Sequence, residues 1–254
     1  MGIRGLKIKK SIIFTVLTAV LIGFIAFVEK SESTKTFTGI EVIVKGISDV
    51  YFVEEHEVIT RLNNEFPELR PGTPMTDIQL AKIEKKVEKH PFVKRAEAFR
   101  DLKGKILVKI DQHRPIARVA RPMAADGYIS SEGKVLPTSP VYTSRVLIIE
   151  GTGGEALLES KDLSVDHPDL MEMIKYVSKH KFWSAQIASM EIDRKGNILL
   201  HQQVGKQVIE FGKPIELEEK FKKVEILYNE ILPEKGWNTY SRVNVKYKDQ
   251  IICE

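Results

Sequence analysis

Residues 11–28 read SIIFTVLTAVLIGFIAFV, eighteen consecutive positions without a charge. At 1.5 Å of rise per residue, a helix of that length covers most of a bilayer's hydrocarbon core of about 30 Å, so the pattern predicts a transmembrane anchor. The run exceeds the roughly 7–15 apolar residues of a secretion signal, and Ala26-Phe27-Val28 lacks the small-x-small spacing of a cleavage site; the anchor is expected to stay attached. Beyond a short polar stretch, Ile40, Val42 and Val44 alternate inside Gly39–Gly46 and predict a half-buried strand. Val58, Ile59, Leu62 and Phe66 then recur at helical spacing. Thr76-Asp77-Ile78-Gln79 has the spacing of a capping box and predicts a second helix carrying Leu80, Ile83 and Val87, closed by Pro91. Strands are predicted over 93–100 and 105–110. Two helices on one side of a three-stranded sheet would bury both apolar sets.

From Arg114 onward the pattern is strand-rich. Tyr128-Ile129 and Val135-Leu136 flank a turn, 145–150 reads as a buried strand, and Pro168 is placed to open a helix. Gly151-Thr152-Gly153-Gly154 reads as a loop. Three strands near 187–193, 198–204 and 207–211 precede Leu217, Phe221, Val224, Tyr228 and Ile231, which define an amphipathic helix. Over 240–248 the period is strictly two: Ser241, Val243, Val245 and Tyr247 share one face, and Arg242, Asn244, Lys246 and Lys248 share the other. That predicts an edge strand able to take up another chain. The fold class is α+β: an anchor at 11–28, a tether at 29–36, a small β-α-α-β-β domain at 37–113, and a mixed α/β domain with a largely antiparallel sheet at 114–254.

Charge adds the topology. The chain has 39 basic and 35 acidic residues and a formal net charge of +4. Arg4, Lys7, Lys9 and Lys10 precede the anchor, and no acid occurs before Glu29, so the excess belongs to residues 1–10 and the remainder is balanced. Positive flanks stay in the cytoplasm, which places everything after Val28 outside it. A neutral globular part lacks the basic patch that displaces counterions from phosphate, so nucleic acid is not an expected partner. Cys253, the single cysteine, permits no intramolecular disulfide and reads as a small apolar residue near a strand end.

Motifs for chemistry are missing. His56, His90, His113, His167, His180 and His201 never pair at i, i+4, so no helical zinc motif exists. Gly151 to Gly154 lacks both the Lys-Ser/Thr of a P-loop and the spacing of a dinucleotide fingerprint. No serine sits in a nucleophile elbow. The expectation is a non-enzyme with no cofactor, metal or small-molecule substrate.

Several segments in order resemble the bacterial FtsQ/DivIB cell-division family. Gly39–Gly46 is similar to the strand opening that family's POTRA (polypeptide-transport-associated) domain, and Pro91-Phe92-Val93-Lys94-Arg95-Ala96 to its Pro-x-Val-x-x-Ala segment. KILVKIDQHRPIAR at 105–118 resembles the strand entering its Arg-Pro-Val/Ile-Ala junction, although Gln112-His113 departs from the usual Glu-Arg. Tyr128–Pro137 resembles the hairpin beyond, and Ser241–Tyr247 the terminal strand.

The resemblance implies a single-pass inner-membrane scaffold of the divisome, with its POTRA and β domains in the periplasm and a place at the division septum. The partners it implies are the small division proteins FtsB and FtsL, besides other divisome proteins. FtsB would add a strand to the last strand of the β domain. Carried over by position, the contact centres on Val245, Lys246, Tyr247, Lys248, Asp249 and Gln250, with Tyr247 as its anchor and Arg194 facing the partner from an inner strand. An alternative reading is a membrane-tethered POTRA protein that binds polypeptide during export or outer-membrane assembly through the edge of its small sheet.

Overall fold

The computed structural model describes residues 14–24, 35–45 and 52–254. Residues 14–24 are helical (α1) with exposed side chains. Among the described residues no helix is long and apolar enough to cross a membrane. The structure therefore does not show the span expected over 11–28: its ends lie outside the described residues, as do Arg4, Lys7, Lys9, Lys10 and most of the tether.

The chain forms two compact units. In the first, β1 (Gly39–Lys45), α2 (Glu55–Glu65), α3 (Leu80–Val87), β2 (Val93–Arg100) and β3 (Lys105–Gln112) build a three-stranded sheet of order β1-β3-β2. β1 runs parallel to β3 with Ile40, Val42 and Val44 opposite Ile106, Val108 and Ile110. The last three are fully buried, and Val58, Leu62, Ile83 and Val87 of the helices supply the rest of the layer. The expected capping box does not form. Met75–Asp77 is a separate 3-10 turn, and Ile78, buried at 1% exposure, adopts an extended backbone that delays α3 to Leu80. Burying Ile78 overrides the local capping signal.

The outer edge of β2 is closed by its own helix. Glu84 on α3 and Glu88 at its C-cap, one turn apart, accept hydrogen bonds from the backbone N–H of Ala98 (2.8 Å) and Ala96 (3.1 Å). Those N–H groups are donors an incoming strand would need.

The second unit holds a nine-stranded sheet of order β12-β11-β10-β9-β8-β7-β4-β5-β6. Its strands are β4 (Pro115–Val119), β5 (Gly127–Ser130), β6 (Val135–Pro137), β7 (Leu147–Glu150), β8 (Ile187–Ile192), β9 (Ile198–Gln202), β10 (Val208–Gly212), β11 (Arg242–Asn244) and β12 (Ile252–Cys253). The sheet is mixed: β4–β7, β7–β8 and β10–β11 pair parallel, and the other five pairings are antiparallel. The Gly151–Gly154 segment is no loop, since α4 (Thr152–Ala156) begins in it. Next come α5 (Leu163–Asp166), α6 (Pro168–Lys179), opened by its proline, and α7 (Lys181–Gln186). α8 (Leu217–Ile226) continues as a π-helical turn at Leu227–Ile231 into α9 (Leu232–Lys235). Pro233 has no N–H for the regular ladder, which accounts for the widened turn before it.

Trp183 and Phe211 each meet the Phe221 ring in tilted geometry at 5.0 Å between centroids in the core, where Ile198, Leu200, Ile209, Val243 and Leu232 are also buried. His113 belongs with this unit, its Nδ1 lying 3.3 Å from Glu132 Oε2.

Candidate functional site

The C-terminal end of the large sheet differs from the sequence expectation in one respect that matters. A strand was expected over 240–248 with its edge open; only Arg242–Asn244 is strand, and it lies between β10 and β12. The chain reverses at Lys248–Asp249, with Asp249 in the left-handed region (φ 56°), and returns as β12 to cover β11. Asp tolerates that conformation better than most residues. The outermost strand is therefore Ile252–Cys253, and Val245–Gln250 forms the turn leading into it.

The pairing decides which groups β12 presents. Arg242 and Glu254 exchange both backbone bonds, at 3.1 and 2.9 Å. Cys253 sits opposite Val243 between the hydrogen-bonded pairs, so its own N–H and C=O point away from β11, toward the open edge. Its side chain lies on the core face with Val243, and burial pushes the thiol's pKa up.

Two anchors hold the preceding turn. On the outer face Glu210, itself mostly buried, accepts from Arg242 Nε (3.1 Å), Asn244 Nδ2 (2.9 Å) and Lys246 Nζ (2.8 Å). On the inner face Lys223 of α8 is buried, and its Nζ donates to the carbonyls of Tyr247 (2.5 Å) and Val245 (3.4 Å) while lying 3.2 Å from Glu219. Gly212 permits the close approach: its φ is 74°, and a Cβ there would meet Lys246 Cγ at 2.6 Å.

The predicted contact residues thus separate. Val245 is completely buried and serves the core, whereas Lys246, Tyr247, Lys248, Asp249 and Gln250 are exposed, Tyr247 at 50%. Arg194 lies in the β8–β9 turn, where Asp193 Oδ1 accepts the N–H of Lys195 (2.7 Å) and Asn197 (2.8 Å). The side-chain bond from Asn197, then its backbone N–H, hold the Asp193 carboxyl below its usual range. Asp193 and Asn197 share a depression of about 290 Å³ with Gly212, Arg242 and Lys246, so the turn carrying Arg194 and the start of the terminal turn meet at one end of the sheet. Lys223, Glu210 and the β12 edge were not anticipated. Ile251-Ile252-Cys253 after Asp249-Gln250 was the one local signal for a further strand.

No catalytic constellation accompanies this edge. Among the described residues no group of three His, Cys, Asp or Glu side chains could hold a metal. His201 pairs with Glu191, at 3.2 Å, on the outer sheet face.

A small helix-backed sheet followed by a large mixed sheet that ends in the open β12 strand is the composition of a two-domain scaffold, a class whose domains are typically non-catalytic. Residues 35–111 match the family model of the POTRA-like domain, and residues 114–254 match that described as FtsQ/DivIB, C-terminal related. The second match covers more than half of the chain, and the chain belongs to the FtsQ/DivIB family of cell-division proteins. No curated protein matches it.

Proposed function

We propose that this cell-division protein is a divisome scaffold, anchored in the inner membrane by residues 11–28 with its bulk in the periplasm at the septum. It binds the FtsB homologue, together with FtsL, by accepting a strand on β12, and so supports septum assembly by linking early and late division proteins. The observation that carries the reading is the outward-facing N–H and C=O of Cys253 on the open edge of a family-defining domain. Backbone pairing would supply affinity along this edge, and the exposed Tyr247, Lys248 and Gln250 beside it would supply selectivity. Arg194 and Lys246 extend the same end of the sheet. Strand uptake at the β2 edge, one route for the export alternative, is opposed by Ala96 and Ala98 donors already taken by Glu88 and Glu84.

The test is Cys253→Pro. On an edge strand proline removes an outward donor without breaking the inner ladder. Co-purification of the FtsB homologue is expected to be lost in Cys253→Pro and kept in Cys253→Ala. Undiminished co-purification with the proline variant would sink strand addition. Septal localisation of a tagged copy, with filamentation on depletion, tests the scaffold role independently.

A further inference from the structure

A second candidate site lies elsewhere in the large sheet. At the N-terminal ends of β4, β7 and β8 there is a cavity of about 490 Å³, lined wholly by residues of the second unit. Its charge is one-sided. Arg114, Arg118 and Arg145 line it, three of the six arginines in 114–254, and no Asp or Glu does. This occurs in a region whose twenty basic and twenty acidic residues balance. Arg118 is engaged by Asp126, at 2.6 Å. Among the described residues, the exposed side chains of Arg114 and Arg145 have no acid within ion-pair distance.

The backbone is irregular at the same place. β4 shifts register between Pro115 and Ala117, and β8 between Ile187 and Ser189, so Ile116 and Ala188, both lining the cavity, sit at bulges. Bulges re-aim side chains and concentrate beside binding sites. Buried Leu147, Val177 and Ile187 form apolar walls, and Ser178 and Ser184 add hydroxyls. Three adjacent strands about 4.8 Å apart span roughly 10 Å, the length of about three residues of extended peptide.

We propose that this cavity binds a short, extended acidic peptide segment of a protein partner, its carboxylates on Arg114 and Arg145 and an apolar side chain between them against Ile187. Guanidinium groups take carboxylates in bidentate geometry, and no lining acid opposes them. The apolar walls and the breadth across three strands favour a chain over a compact anion, which could use neither. The site lies on interior strands and does not rest on strand addition at β12.

The experiment uses the full chain in a neutral detergent and the fluorescein-labelled peptide Ala-Glu-Leu-Glu-Ala, read by fluorescence anisotropy. Binding is expected to weaken as salt rises and to fall at least about tenfold in the Arg114→Gln, Arg145→Gln double variant, because both charge-assisted bonds to the carboxylates are removed. Arg121→Gln, which alters an arginine outside the cavity, is the control and should bind normally. Circular dichroism checks folding; if the double variant misfolds, Arg145→Gln alone, at an exposed position before β7, carries the same test. Three results would overturn the proposal: equal binding by the arginine variant, equal binding of the Ala-Gln-Leu-Gln-Ala peptide, or full displacement by inorganic phosphate but not by chloride at matched ionic strength. Arginine-dependent binding to phosphatidylglycerol vesicles without peptide binding would likewise overturn it.

Discussion

Replacing Lys223 by methionine tests whether the terminal turn is held from inside the domain. The stem of Lys223 is buried, and methionine keeps nearly the same length and apolar contact, so the substitution removes little besides the ammonium group. Lost with it are the 2.5 Å bond to the Tyr247 carbonyl, the longer 3.4 Å contact to Val245, and the 3.2 Å pair with Glu219, which lies within α8 and does not tie the turn to it. A hydrogen bond to a charged group contributes about 1.5–3 kcal/mol, and the longer contact contributes less, so the turn and β12 should open more easily by about 2–3 kcal/mol. The natural assay is amide hydrogen exchange. The N–H groups of Arg242 and Glu254, which pair β11 with β12, should exchange about 30- to 140-fold faster, at tenfold per 1.4 kcal/mol. Lys220→Met provides the comparison. That lysine is also buried, but its Nζ donates to Lys213 at 2.9 Å and lies over Phe211, so its loss should leave the β12 amides largely unaffected. Unchanged β12 exchange in folded Lys223→Met would refute the clamp, and an equal acceleration across every strand of the sheet would refute its locality.

Gly212→Ala should lower the urea midpoint by the equivalent of about 1–3 kcal/mol, because the new Cβ meets the Lys246 side chain at a left-handed backbone position; an unchanged midpoint would show that the turn shifts without cost. Burial pushes the Tyr228 hydroxyl up to about 12, partly opposed by its bond from Gln186, whereas an unfolded tyrosine ionises near 10. The unfolded state then releases its proton first, so this contribution to stability is intact below pH 10 and is lost as pH rises toward 12. Urea titrations above pH 9 should show that decline, with a shallower slope in Tyr228→Phe.

What the sequence makes legible here is what neighbours along the chain decide. Pro168 opens α6, the Tyr128–Leu136 hairpin pairs as its apolar alternation requires, and Ile106, Val108 and Ile110 share one buried face. The terminal strand fails this test because its period-two pattern persists through Lys248 while the sheet admits only Arg242–Asn244. A left-handed Asp249 and a returning pair of residues, features of pairing rather than of periodicity, set the limit. Lys223 is hidden for a related reason. In a helix whose polar positions are all Glu or Lys it reads as part of a solvated face, and only the return of residues 245–247 over α8 gives its ammonium carbonyls to bond.

Formal neutrality of the chain beyond its first ten residues is the most instructive case. Summed over the chain, balance removes the long-range field that phosphate binding requires. Recognition at contact distance, however, depends on how charges are sorted, and Debye screening over about 8 Å makes that sorting local. Glu210 gathers Arg242, Asn244 and Lys246 into a satisfied cluster that fixes the terminal turn, while Arg114 and Arg145 face a cavity with no lining acid. The same zero sum thus contains one arrangement that stabilises the fold and one that lacks a counter-charge, and only the second calls for a partner. A neutral scaffold can therefore combine backbone pairing at one place with charge recognition at another.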